Sequence, residues 1–167
     1  MDIRNWETEL QHIGESEKNH GAVVQPIFQN SLFVFETLDQ FQAAFGYWDG
    51  PQHVYSRVSN PTVQIAESKI AMLEGTERCK LFSSGMAAIS CAMLSVLEAG
   101  AHCIAVDTLY GPAKQFLTDV LSRYGVSTTF VDGRRSSDII DSIRPETRLI
   151  CLESPSSIFF RLQDFRA

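Results

Sequence analysis

Within this 167-residue chain, the residues whose types and spacing are best suited to chemistry are Ser83, Ser84 and Gly85, in the stretch LFSSGMAAI from Leu81 to Ile89. A short apolar run, Cys79 to Phe82 with Lys80 as its one charge, halts at two hydroxyls and a glycine. A small-residue apolar segment then continues to Leu97. That order predicts a strand at 79–82 feeding directly into a helix from about 85 to 98. The unbonded N–H groups of a helix's first turn carry partial positive charge and can hold a phosphate. Glycine there lets the backbone approach a ligand with no Cβ between them. Taken alone, the stretch fits an ordinary serine-capped strand–helix turn better, because such turns are common. The rest of the chain decides between the two readings.

From residue 60 onward the chain is regular. Asn60 followed by Pro61 predicts a helix start, with Asn as cap and Pro where its missing N–H costs nothing. Ala66, Ile70 and Leu73 make its apolar face, Glu67 to Lys69 its wet one, and Gly75 its end. Further strands are expected at 103–106, 127–131 and 148–152, with helices at 113–124 and about 137–143 between them. This alternation predicts an α/β fold: the first part of a mostly parallel, doubly wound sheet covered on both faces. Ligands of such sheets collect beyond the carboxyl ends of the strands. Ser83–Gly85, Asp107–Tyr110 and Glu153–Ser157 all fall at those ends.

Before residue 60 the pattern is weaker. Residues 1–20 suggest a short helix or an arm around Trp6, Leu10 and Ile13. Gly21 to Phe35 is apolar and β-branched, but Pro26 forbids a central strand. An extended segment lying on another surface, of this chain or of a partner subunit, is expected. Residues 36–53 read as a loop anchored by buried Phe41, Phe45, Tyr47 and Trp48, among Gly46, Gly50 and Pro51. The division expected is an N-terminal arm and subunit-contact segment, 1–58, and an incomplete cofactor-binding α/β domain, 59–167. Leu162 to Ala167 reads as the start of another helix, and the end as a truncation.

Composition narrows the function classes. Hydrophobic residues make up 44% and charged residues 20%, and the formal net charge is -6, a globular profile. The longest basic run is Arg134-Arg135, which argues against nucleic acid as a partner. Cys79, Cys91, Cys103 and Cys151 form no CxxC pair and read as buried free thiols of a reducing compartment. His12, His20, His53 and His102 lack ligand spacing, so no metal is expected. Met86 to Val106 is interrupted by serines, Glu98, Gly100 and His102, which speaks against a membrane span. No signal segment is visible at the N-terminus, and a cytoplasmic location is expected. A dinucleotide site would need G-x-G-x-x-G after the first strand, and FSSGMA offers a single glycine.

Four motifs, VYSRVSNPT, FSSGMAAI, TLYGP and LESPSS, stand in an order and at spacings that resemble the trans-sulfuration (Cys/Met metabolism) family of pyridoxal 5'-phosphate enzymes. That family includes cystathionine γ-synthase, cystathionine lyases and methionine γ-lyase, and the likeness runs from about Gly21 to the end. It implies the large domain of a fold-type I enzyme, a small amino-acid substrate, and a homo-oligomer (a dimer of dimers, hence a homotetramer). It further implies that Gly85 and Met86 offer backbone N–H groups to the cofactor phosphate and that Tyr110 lies over the pyridine ring. Tyr55 and Arg57 would reach the phosphate of the neighbouring subunit, where a guanidinium fork suits phosphate oxygens. Outside that context Tyr55 and Tyr110 fit core or turn aromatics, and Arg57 a solvated charge.

Where several members read ESPSNP, this chain has Ser157 in place of the asparagine, after Glu153. That departure tilts the sub-type toward cystathionine β-lyase. The family's Schiff-base lysine and pyridine-pairing aspartate lie beyond the ESP loop. Lys18, Lys69, Lys80, Lys114 and Asp164 do not match them, nor is the substrate-carboxylate arginine present. No catalytic set is therefore complete in this chain, with Tyr110 and Tyr55 as its only candidates. The expected function is the N-terminal portion of an enzyme of C–S elimination or replacement, inactive alone. The alternative is a non-catalytic cofactor-binding or subunit-assembly fragment.

Overall fold

The computed structural model describes residues 6–15, 19–45 and 52–166, and the chain divides into two compact units, Met1–Leu81 and Phe82–Ala167.

In the first unit, helix α1 (Trp6–His12) packs on α3 (Pro61–Glu74). Gly14, just after α1, has φ +99°, and a Cβ there would lie 2.8 Å from Ile65 Cδ1. Glycine meets both demands at that position. The start of α3 forms as the Asn-Pro dipeptide predicts: Asn60 is extended at φ −143°, ψ 137°, and its side chain accepts from Thr62 N–H. Gly75 ends the helix in the left-handed region at φ +66°.

Residues 22–35 form no helix or β-ladder, and among the described residues between α1 and α3 the one isolated β-bridge is antiparallel, between Leu32 and Tyr55. The expected loop at 36–53 is instead interrupted by helix α2 (Leu38–Phe45). Thr37 Oγ1 accepts from Gln40 N–H at 3.2 Å and starts it. Phe41 and Phe45 are not buried anchors: they are 37% and 63% exposed. They stack edge-on at 4.7 Å, one helical turn apart. Gly46, Tyr47, Trp48, Gly50 and Pro51 lie outside the described residues.

The apolar run at 79–82 is not a strand. It forms no β-ladder, and Leu81 N–H is taken by Glu67 Oε1 of α3 at 3.0 Å rather than by a sheet neighbour.

The second unit opens with α4 (Gly85–Leu94), capped by Ser84, whose Oγ accepts from Ala87 N–H at 3.1 Å. The helix ends at Leu94 rather than near 98. Ser95 Oγ donates to Ala92 O at 2.7 Å, the local bonding by which serine competes with helix continuation. Three parallel strands follow: β1 (His102–Val106), β2 (Ser127–Val131) and β3 (Thr147–Cys151), in the spatial order β2-β1-β3. Each falls within a residue of its expected range. Helix α5 (Gly111–Gln115) continues through a π-helical turn, Phe116–Val120, into a 3₁₀ turn, Leu121–Tyr124. Helix α6 (Ser136–Ile140) precedes β3.

The core gathers on the central strand. All five residues of β1 are buried, and Met93, Leu97, Ala113, Leu117 and Leu121 pack with Cys103 and Ala105. Burial pushes the Cys103 thiol up to about 12, which makes it an inert apolar filler. No helix forms over 162–166; that segment is irregular, with Leu162 and Phe165 exposed. Among the described residues, no helix is long and apolar enough to cross a membrane.

Candidate functional site

At the start of α4, Ser84 answers the N–H groups of Ala87, through its Oγ, and of Ala88, through its backbone carbonyl. The N–H groups of Gly85 and Met86 precede the first intrahelical bond and have no acceptor within the helix. Gly85 is exposed, and a Cβ built on it would meet no atom within 4 Å. Two unbonded donors at the positive end of a helix, bordered by open space, fit a phosphate.

At the carboxyl end of β1 the loop from Asp107 brings Tyr110 to the first position before α5. Tyr110 N–H donates to Glu153 Oε2 at 2.8 Å, which ties this loop to the end of β3. Tyr110 is 41% exposed. Beside it, Lys114 Nζ lies 3.5 Å from Asp107 O and 4.7 Å from the centre of the Phe130 ring.

The Glu153–Ser157 loop is bonded to the irregular segment that follows it. Gln163 N–H donates to Ser154 Oγ at 3.0 Å, Arg161 N–H to Ser156 Oγ at 3.0 Å, and Glu153 N–H to Gln163 Oε1 at 3.1 Å. Arg161 also reaches Asp107 at 3.8 Å. At the end of β2, Arg134 is hydrogen-bonded and ion-paired to Asp132 and holds its carboxyl well below the usual range. The sequence reading missed Gln163, Arg161 and Gly133. No spacing in the sequence pointed to them; only the structure shows Gln163 buried within an otherwise exposed apolar tail.

Tyr55 and Arg57 belong to the first unit, where the Arg57 guanidinium carbon lies 4.7 Å from the centre of the Tyr55 ring. Arg57 is exposed, and Leu32, Phe41, Phe45, Val54 and Val58 line an apolar cleft that both residues border. The structure thus pairs Tyr55 with Arg57, and Tyr110 with Glu153. Ser157 is half-buried, and its carbonyl accepts from Phe159 N–H at 2.6 Å. Of the lysines, Lys80 pairs with Glu67 at 3.4 Å, Lys69 is an α3 residue, and Lys18 lies outside the described residues.

Residues 7–167 match the family model described as Cys/Met metabolism PLP-dependent enzyme. An L-methionine gamma-lyase of Porphyromonas gingivalis is 43% identical over 157 residues, covering 93% of this chain and 39% of that protein. The cystathionine beta-lyase MetC of Bacillus subtilis is 38% identical, covering 100% of this chain and 41% of its own length. Among solved structures, metB from Corynebacterium glutamicum superposes with a TM-score of 0.85 at 27% identity, over 98% of this chain and 40% of that one. An O-acetylhomoserine (thiol)-lyase structure from Campylobacter jejuni, carrying a pyridoxyl-lysine phosphate, also reaches 0.85 at 28% identity, over 96% and 39% of the two chains. The chain therefore spans about two fifths of the length of the relatives it matches. This chain belongs to the pyridoxal-phosphate-dependent enzymes of cysteine and methionine metabolism.

Proposed function

We propose that this chain forms the phosphate-binding portion of a pyridoxal-phosphate enzyme that eliminates or replaces the sulfur substituent of a cystathionine- or methionine-like amino acid. The observation that carries the proposal is the pair of unbonded N–H groups, Gly85 and Met86, at the capped start of α4 beside open space. When bound, pyridoxal phosphate supplies an electron sink for the substrate's α carbon, so that a group can leave from the β or γ carbon.

The chain's own residues bind and orient. Gly85 and Met86 N–H groups would donate to phosphate oxygens, and such charge-assisted bonds are worth about 1.5–3 kcal/mol each. The Tyr110 ring would offer its face to the pyridine ring of a bound cofactor. Arg57, stacked on Tyr55, presents a guanidinium whose fork can bond two phosphate oxygens. In our reading it does so in a neighbouring copy, within a cytoplasmic homo-oligomer built as a dimer of dimers. Catalysis then rests on a lysine supplied outside the motifs present here, and the chain alone does not turn over.

A second reading, a non-catalytic cofactor-binding or assembly fragment, is favoured by the exposure of Arg57, which leaves it open to another subunit's phosphate. One experiment tests what the two readings share, a cofactor cradle without turnover. Purified 1–167 is mixed with pyridoxal phosphate, reduced with borohydride, and analysed by mass spectrometry and by assay on cystathionine. A cofactor absorbance band with no pyridoxyl group fixed to a lysine and no keto acid released supports a cradle without turnover. Keto-acid release at the rate of a full-length relative overturns that claim, and the absence of any cofactor band overturns the cradle itself.

A further inference from the structure

We infer that Glu153 is a positioning residue for Tyr110: its carboxylate sets the backbone, and hence the ring, of the aromatic that covers the cofactor. This deepens the proposed function and rests on its placement of Tyr110 at the cofactor ring.

Helix α5 has no cap from its own sequence. Tyr110 occupies the capping position with a side chain that bonds nothing there, at φ −44°, ψ 124°. Upstream, the loop is tied by its own strands: Asp107 N–H to Val131 O at 2.8 Å and Leu109 N–H to Val106 O at 3.1 Å. Tyr110 N–H is instead held by a side chain from the end of β3, Glu153 Oε2 at 2.8 Å. A carboxylate at that point both satisfies the donor and favours the positive end of α5.

Glu153 is itself fixed. Its own N–H is bonded to Gln163 Oε1 at 3.1 Å. Gln163 is 8% exposed, and it is wedged: a Cβ on Gly133 would lie 2.9 Å from Gln163 Cγ. Its N–H in turn bonds Ser154 Oγ. A line of contacts therefore runs from Gly133 at the end of β2, through Gln163 and Glu153 at the end of β3, to Tyr110 at the end of β1. Loops from all three strands of the unit converge on one aromatic ring, and a cofactor-facing ring needs such support to be held within a fraction of an ångström. Removing the Glu153 oxygens leaves the Tyr110 N–H with water alone.

The test uses the 1–167 chain with Glu153→Ala, Glu153→Gln and Gln163→Ala, read by amide exchange at Tyr110 and by titration with pyridoxal phosphate and with inorganic phosphate. Glu153→Ala is expected to speed Tyr110 exchange by about tenfold or more, the loss of a charge-assisted bond. It should weaken pyridoxal phosphate to a similar degree and leave inorganic phosphate, which needs only the start of α4, unchanged. Glu153→Gln keeps an acceptor and should restore most of both. If Glu153→Ala does not fold, Gln163→Ala, which frees the Glu153 backbone, should show the same exchange change to a smaller extent. Unchanged Tyr110 exchange overturns the inference, and so does equal weakening of both ligands. Failure of the unsubstituted chain to bind pyridoxal phosphate would sink the cofactor reading, while the exchange measurement would still decide whether Glu153 holds Tyr110.

Discussion

Asn60 Nδ2 donates to the backbone carbonyl of Phe28 at 2.9 Å, across 32 residues of sequence. The same nitrogen reaches Ser56 Oγ at 2.9 Å, while Asn60 Oδ1 accepts from Thr62 N–H at 2.9 Å. Thr62 Oγ1 accepts from Phe28 N–H at 2.9 Å. One buried amide thus starts α3 and clasps the extended arm beside the Tyr55–Arg57 pair. The two jobs belong to different atoms and can be separated. Asn60→Asp keeps the oxygen that caps α3 but places an acceptor against the Phe28 carbonyl. We expect α3 helicity to persist by circular dichroism while amide exchange over 26–32 and at Ser56 rises about tenfold. Asn60→Ala loses the cap as well, at about 1 kcal/mol, and about 1 kcal/mol more for each lost bond. Unaltered exchange over 26–32 in Asn60→Asp would show that the clasp does not hold the arm.

Gly85 separates a structural role from a ligand role. Its added Cβ would meet nothing within 4 Å, and alanine is welcome in a helix's first turn. Gly85→Ala should therefore leave urea-unfolding stability within about 0.5 kcal/mol. It should nevertheless weaken pyridoxal phosphate, whose phosphate needs the space that the methyl fills. Unchanged affinity would remove the close backbone approach from the proposal.

Gly133 makes the opposite prediction. A Cβ there would collide with Val106 Cγ1 and lie 2.9 Å from Gln163 Cγ. Gly133→Ala should destabilise the chain by about 1–3 kcal/mol, the range for forcing an extra carbon into a packed site. A chemical-denaturation midpoint equal to that of the unsubstituted chain would contradict the packing described.

His102 predicts a dependence on pH. It is buried, with its two ring nitrogens 2.8 Å from Thr147 Oγ1 and 2.9 Å from Thr129 Oγ1. Burial first, and then the Arg144 charge, lower its pKa from the ordinary 6.5, against a smaller opposing pull from Glu146. The unfolded chain then takes up the proton before the folded one does. The stabilisation is complete above 6.5 and is lost as pH falls from there through the folded value. Urea unfolding followed downward from neutral pH should show falling stability in that window, and His102→Gln should flatten it. An identical slope in the two chains would assign the effect to other groups.

Much of the fold is written in local pattern. Asn60-Pro61 and Gly75 bound α3, Ser84 caps α4, and the strands at 102–106, 127–131 and 147–151 follow from short apolar runs between turn residues. Caps and periodicity act within a few residues, so sequence alone determines them, as it does the serine-capped turn into Gly85. Local pattern failed where neighbours distant in sequence decide. The run at 79–82 has the composition of a strand, but a strand exists only where another offers its edge, and Glu67 took Leu81 N–H instead. Helix α2 was hidden because the glycines and Pro51 that follow it blurred a short helical spacing into an apparent loop. The ties from Asn60 to Phe28, from Glu153 to Tyr110, and from Gly133 to Gln163 have no signature in sequence spacing. Each joins groups brought together by folding, since a hydrogen bond or a van der Waals contact depends on distance in space and not on separation along the chain.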